Sequence, residues 1–499
     1  MTPTLLRDDA LVSTPDGFAL RLSLPWIRSL PLRCVTGLRV TIDGEDVPSA
    51  AALLDGRSVP LDELGDESGW WFLQDRLELR AEGRLTPGAH DVEVAVTLSV
   101  PYLQAAPDAP LTLPFRESRS LHLGDAGAAG QPLGASGSGP AHAEDRVAVE
   151  PAAGAPESAA AAGAALPAGW TLGVSTFNWT PEVLLAERPA HEIVVDVARR
   201  GIAQTMELEA GQVWRSFPVP SPAEVEALRD DLAASGASIA VVGLNLDEWS
   251  SPTRRRSEQE RYDFLVPQIE AAHQVGATGV RLPIGQAGPD LQRRLLPLLH
   301  DRGLTLFEEV QGQQTPPSPA HREACEAIVD LNDPRLRFVV DISILMPALP
   351  ESYLVELEAG GVPAELIARL RDEWRDPATH DAVVGLLRSG GVPPAVHTLY
   401  MDLLIRFGRS EVGDLAEILP FTGAVHLKFW DLDDESERVS RPIRELAGAL
   451  AATGFTGTLA SEWGGHEWLD DDPTEITRGH LALARSALSS GAAVSGRVS

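Results

Sequence analysis

Four short groups of residues carry most of the chemistry this chain can offer: Glu308, Glu309 and Gln311; Asp341 and Ser343; His426, Lys428 and Trp430; Glu462, Trp463 and His466. Each group closes an apolar, strand-like run: LTLFEEVQ (304–311), RFVVDIS (337–343), GAVHLKFW (423–430) and GTLASEWG (457–464). Side chains two apart on a strand share a face, so His426 and Lys428 point the same way, and so do Glu309 and Gln311. Four successive runs thus offer Glu, Asp, His and Glu. Carboxylate oxygens with one imidazole suit a hard or borderline divalent cation. The oxygen-rich set makes Mn²⁺ the expected ion, with Mg²⁺ and Zn²⁺ as alternatives. Any one of these acids could instead cap a helix or face solvent on a loop; four on four adjacent runs are harder to explain that way. Of the 41 basic residues, Lys428 is the one lysine. A genome favouring Arg codons accounts for the bias, yet the exception falls inside the candidate site.

Positioning four such groups at one point needs parallel strands ending together. Earlier runs of the same kind are GVSTF (173–177), QTMELE (204–209), SIAVVGLN (238–245) and GVRLPIG (279–285). Between them lie amphipathic stretches such as AEVEALRDDLAAS, QERYDFLVPQIEAAHQVG and PDLQRRLLPLLHDRG, each ending near a Gly suited to a helix C-terminus. Eight strand–helix repeats predict an α/β fold, a (β/α)8 TIM barrel over residues 169–488, with functional groups at the C-terminal strand ends. A doubly wound sheet is the alternative, but no glycine-rich turn follows the first strand. The stretch of about 344–413, after the sixth strand, is too long for a simple connection. It reads as an insertion of two or three helices placed to cap the site.

Residues 1–124 follow a different rhythm. FALRLSLPW, VTGLRVTIDGEDVP and HDVEVAVTLSVPYL alternate apolar and polar positions between Asp-Gly and Pro-Gly turns, which predicts a small all-β, sandwich-like domain or flattened barrel. Its histidines, His90 and His122, stand alone and suggest no catalytic group. Residues 125–168 are almost all Ala, Gly, Pro and Ser and read as a flexible linker. Residues 489–499 are expected to be a disordered tail.

The chain of 499 residues carries 72 acidic against 41 basic residues, a formal net charge of −31. Such a chain repels phosphate backbones and anionic lipid, so neither nucleic acid nor membrane is an expected partner. Its two cysteines, Cys34 and Cys325, exclude a disulfide scaffold or a cysteine-rich metal site. The first residues lack a basic segment followed by an apolar core, and no 18-residue apolar run occurs; a cytoplasmic protein is expected. A homo-oligomer is also expected.

GVSTFNWTPE, the EEVQ strand end, VVDIS, VHLKFWD and SEWGGHEW resemble the xylose-isomerase-like barrels of the sugar isomerase/epimerase superfamily. In that superfamily a Glu, an Asp, a His and a final Glu bind one divalent metal, which implies Glu309, Asp341, His426 and Glu462 here. Glu309 is preferred to Glu308 because E-V-Q stands where the family usually has E-I-H; Gln311 replaces that His. The N-terminal GFALRLSLPWIRSLPLRCVTGLRVTIDGEDVP and LTPGAHDVEVAVTLSVPYL are similar to the β subunit of C-glycoside deglycosidases. Those enzymes pair such a subunit with a barrel of the isomerase-like type, so the chain resembles both subunits fused.

The resemblance implies a metal-dependent lyase that cleaves 3-oxo-C-glycosides, and 3-oxo-O-glycosides as a close variant, by β-elimination through an enolate. A ketone at C3 acidifies the C2 proton, a base removes it, and the aglycone leaves C1 after protonation. Glu309, Glu462, His466 and Lys428 are the candidate acids and bases. Lys428 could equally pair with Asp341 or Glu462, and His466 could hydrogen-bond substrate. Trp179, Trp214, Trp249, Trp430, Trp463 and Trp468 lie near strand ends and could form aromatic walls, or pack in the core. Two other functions fit the same residues: a sugar isomerase or epimerase working through an enediol, and a non-catalytic carbohydrate-binding protein.

Overall fold

The computed structural model describes residues 4–106, 108–124 and 165–495. They form two compact units, the first all-β and the second built of alternating strands and helices.

The first unit has a two-stranded sheet that pairs Leu30–Pro31 with Trp70–Trp71, and two larger sheets. One runs in the order Leu6–Thr14, Gly17–Ser23, Arg76–Glu82, Ala51–Leu54, Arg57–Pro60; the other runs Ala109–His122, Ala89–Ala106, Val35–Ile42, Glu45–Asp46. The alternation legible in HDVEVAVTL becomes burial of Val92, Val94, Val96 and Leu98, with polar neighbours turned outward. Of the three Asp-Gly pairs, two are hairpin turns in which both residues take positive φ: Asp43 at 53° and Gly44 at 81°, Asp55 at 47° and Gly56 at 77°. That geometry matches the twist of the flanking strands and explains the choice of residues. His90 is held between Asp43 Oδ2 and the Thr86 carbonyl, both at 2.7 Å. It is a structural residue of the turn. Of the linker expected over 125–168, residues 125–164 lie outside the described residues.

The second unit is a closed barrel of eight parallel strands: β1 (Trp170–Ser175), β2 (Thr205–Glu209), β3 (Ser238–Gly243), β4 (Gly279–Pro283), β5 (Thr305–Val310), β6 (Leu336–Asp341), β7 (Thr422–Phe429) and β8 (Gly457–Trp463). Strands covered by helices outside and packed on one another inside have no wet face, which is why they read as apolar runs. The helices Pro222–Ala234 and Glu258–Gln274 both begin with a capping box, Ser221 with Glu224 and Ser257 with Glu260. The glycines that follow these helices and Pro289–Arg302 take positive φ: Gly236 at 68°, Gly276 at 84° and Gly303 at 69°.

The segment between β6 and β7 holds four α-helices rather than two or three: Glu351–Ala359, Ala364–Asp372, Pro377–Arg388 and His397–Ile405. The breaks that separate the first three, residues 360–363 and 373–376, are four residues long, and the second holds no glycine, so the sequence pattern hardly marks these boundaries. These helices share their own core of Tyr353, Leu357, Leu370, Trp374, Val383 and Tyr400, joined by Phe407 and Trp430. The tail boundary at residue 489 needs correction as well. The last helix, Pro473–Ser495, continues through it, because small residues let it lie against the helix Ser440–Thr453: a side chain at Gly491 would meet the Arg444 carbonyl at 2.1 Å. Residues 496–499 lie outside the described residues.

Candidate metal centre

The barrel brings Glu309, Asp341, His426 and Glu462 to one point. Each offers one ligand-type atom, and these atoms all lie within 4.8 Å of one another. The register explains the meeting: Asp341 on β6 pairs with His426 on β7, and Lys428 on β7 pairs with Glu462 on β8. His426 Nδ1 sits 2.8 Å from Glu309 Oε1, 2.9 Å from Glu462 Oε2 and 3.9 Å from Asp341 Oδ2. All four side chains are buried.

Each neighbour on the strands has a different task. Glu308 turns to the other face of β5, where its Oε2 accepts the Gly285 N–H at 2.8 Å; burial pushes its carboxyl up to about 7. Lys428 Nζ lies 3.4 Å from Glu462 Oε1 and 5.0 Å over the Phe177 ring. The lysine therefore pairs with the last acid of the set. His466 lies on the turn Gly465–Glu467 just beyond β8, with its ring 4.9 Å from that of Phe177 and 5.5 Å from that of Trp463. Burial, then the charges of Lys428 and Arg406, push its pKa down to about 3, so it is a neutral imidazole.

The tryptophans are mostly core. Trp179, Trp214, Trp249, Trp430 and Trp463 are at most 4% exposed. Trp463 Nε1 donates to the Trp430 carbonyl at 2.8 Å, and Trp179 Nε1 to Thr474 Oγ1 at 3.3 Å. Of the two roles open to these tryptophans, aromatic wall or core packing, these five have packing; strand ends in a barrel meet covering loops, which need apolar volume beneath them. Trp468 is half-buried and donates to Ser352 Oγ at 3.2 Å.

Three residues of the network were not singled out in the sequence: Glu207 and Glu209 on β2, and Arg281 on β4. The guanidinium of Arg281 lies 2.6 Å from Glu207 and 2.7 Å from Glu309, and also bonds Glu209. His426 Nε2 lies 2.9 Å from Glu207 Oε2. A signal for them exists in TMELE, where two acids share one face of a buried strand, and in GVRLP, where a lone Arg interrupts an apolar one.

Electrostatics in this pocket are strongly coupled. Burial alone would raise the pKa of Glu207, Glu309 and Glu462; the cations around them (His426 and Arg281 for the first two, Lys428 and His426 for Glu462) reverse this and hold all three ionised. Burial acts against a charged His426 too, but Glu207, Glu462 and Glu309 outweigh it and hold its pKa well above the usual value. Asp341 and Glu209 are pushed up to about 7, chiefly by burial. Asp341 Oδ2 is buried without a hydrogen-bond partner, a costly state for a bare carboxylate oxygen. The donor set and the orphan oxygen both fit a divalent cation of the hard or borderline type.

Comparison with known proteins divides along the same lines as the fold. Residues 6–102 match the family model of the C-glycoside deglycosidase beta subunit. Over 106 residues the chain is 34% identical to the 3'-dehydrocarminate deglycosidase beta subunit of a Microbacterium species, covering 20% of this chain and 80% of that subunit. Over 328 residues it is 28% identical to a C-glycoside deglycosidase alpha subunit of Arthrobacter globiformis, covering 64% of this chain and 93% of that subunit. Among solved structures, a xylose isomerase domain protein from Planctomyces limnophilus aligns with a TM-score of 0.34 at 14% identity, over 62% of this chain and 92% of that one. Among the described residues, no helix is long and apolar enough to cross a membrane.

Proposed function

Because the chain belongs to the C-glycoside deglycosidase family, we propose that it is a metal-dependent lyase that cleaves 3-oxo-C-glycosides by β-elimination, with 3-oxo-O-glycosides as a second substrate class. The observation that carries this reading is the convergence of Glu309, Asp341, His426 and Glu462 on one buried point, in a chain that matches both the alpha and the beta subunits of such enzymes.

The four residues would hold one divalent cation, Mn²⁺ by preference, and a bound cation supplies Lewis acidity toward the ketone oxygen of the substrate. The rest of the chemistry falls to side chains. A carboxylate, Glu309 or Glu462, takes the proton from C2; the C2–H electrons become the C1=C2 bond; the bond from C1 to the aglycone carbon breaks, and its electron pair takes up a proton. Lys428, beside Glu462 Oε1, steadies the ionised form of that carboxylate and is the candidate proton donor. His466, neutral at physiological pH, donates or accepts one hydrogen bond to the sugar or aglycone. The chain carries in one polypeptide the parts that the relatives keep as separate alpha and beta subunits.

Incubation of the full chain with 3-oxo-C- and 3-oxo-O-glucosides, with EDTA or with Mn²⁺, and mass spectrometry of the products tests this. Mn²⁺-dependent release of free aglycone is expected. Interconversion of free sugars without aglycone release would replace the lyase with an isomerase.

A further inference from the structure

Beneath the four candidate ligands lies a layer that touches them without joining them. Glu207 and Glu209 rise from β2, Arg281 from β4, and all three are largely buried. The guanidinium meets three carboxylates at once: Nε to Glu207 Oε1 at 2.6 Å, Nη1 to Glu309 Oε2 at 2.7 Å, and Nη2 to Glu209 Oε1. The other oxygen of Glu207 lies 2.9 Å from His426 Nε2. One cation on β4 thereby reaches a candidate ligand on β5 directly and the one on β7 through a single carboxylate.

The two nitrogens of His426 face different surroundings. Nδ1 is turned toward Glu309 and Glu462, at 2.8 and 2.9 Å, inside the ligand set. Only Nδ1 can therefore present a lone pair to an ion there, which requires the hydrogen to sit on Nε2. Glu207 Oε2 is the acceptor placed to receive it. A ligating His is oriented by the group on its other nitrogen, and a ring rotated by 180° about its Cβ–Cγ bond would lose both arrangements together.

We propose that Glu207, locked by Arg281, is a positioning residue: it fixes the tautomer and ring orientation of His426 for metal binding, while the same guanidinium sets the place of Glu309. The inference rests on the proposed function in one respect only, that a divalent cation binds the four-residue set. Lysine is no equivalent of Arg281: the three donors of an ammonium radiate from one atom, whereas the planar guanidinium sends Nε, Nη1 and Nη2 to three separate carboxylates.

Mn²⁺ binding to the EDTA-stripped full chain, read by loss of the free-ion electron paramagnetic resonance signal and by calorimetry, tests this without any substrate. Glu207→Ala should weaken Mn²⁺ binding by about 10- to 100-fold. Glu207→Gln, which keeps an oxygen able to accept from Nε2, should recover part of the loss. In a His426→Ala background, Glu207→Ala should cost nothing further, because the residue acts through the imidazole. Native-like Mn²⁺ affinity in Glu207→Ala, or an undiminished loss in the His426→Ala background, overturns the proposal. Should Glu207→Ala fail to fold by circular dichroism, Glu207→Gln alone decides: a loss of roughly several-fold supports the assignment, and native affinity overturns it. A native chain that binds no Mn²⁺, Mg²⁺ or Zn²⁺ would instead overturn the metal reading as a whole.

Discussion

Asp341 divides its two oxygens between fold and site. Oδ1 accepts the Ser343 N–H at 2.7 Å and starts the turn that leads away from β6, while Oδ2 is left buried and unbonded beside His426. A helix-capping role and a ligand role are therefore not rivals at this position. Glu309 and His426 cap no backbone turn; each instead ties the site to Arg281 and Glu207. Glu309→Gln and His426→Ala should each lower aglycone release by about a hundredfold or more, the scale of losing Lewis-acid stabilisation, with unchanged far-ultraviolet circular dichroism. Near-native turnover in either would remove it from the centre. The Glu, Asp, His and Glu at the ends of β5 to β8 were legible because each ends its own strand in a recognisable motif. Glu207 and Arg281 were not, because an acid and an arginine 74 residues apart acquire a joint meaning only when β2 and β4 close round the same interior.

At the scale of elements, the loop after β8 and the final helix are held by contacts that can be perturbed one at a time. A side chain at Gly465 would come within 1.9 Å of the Trp430 carbonyl and 2.5 Å of Trp463 Nε1. Gly465→Ala should therefore displace the turn that carries His466 and destabilise the barrel by roughly 1–3 kcal/mol, seen as a lower urea midpoint together with reduced turnover. An unchanged midpoint would show that the turn is looser than this packing implies. His480, on the helix Pro473–Ser495, stacks on Phe429 at 3.8 Å and bonds Ser461 Oγ at 2.8 Å. Burial pushes its pKa down to about 3. The unfolded chain, with an ordinary His near 6.5, binds this proton at a higher pH than the folded chain does. Stability from this residue is thus constant above pH ~6.5 and falls by about 1.4 kcal/mol per pH unit below it, until about pH 3. His480→Phe should flatten that part of the profile relative to the native chain. Parallel profiles for the two proteins would show that His480 takes up its proton without cost.

For the molecule as a whole, an ion held by the proposed metal centre would also be a stability element. A buried cluster of carboxylates is costly, and an ion that binds only the folded chain stabilises it in proportion to the logarithm of its concentration. Mn²⁺ at a hundred times its Kd should add about 2.7 kcal/mol and raise the melting temperature, reversibly with EDTA. A melting curve indifferent to both would contradict a bound cation. The eight-strand barrel, its insertion after β6 and the separate β unit followed from apolar periodicity and turn chemistry, which are local: each run must bury its own face, and Asp43-Gly44 and Asp55-Gly56 must each take their own positive φ. The helices within the insertion, the course of the last helix and the fate of the tryptophans depended on what packs against them, which no local pattern records. The same division holds at the centre. Residue type and strand position were enough to nominate four ligands, since both are properties of a single segment. The arginine that joins β2 to β5 and the carboxylate that faces His426 from across the barrel exist as a network only once closure removes water from between them and makes every unpaired charge expensive.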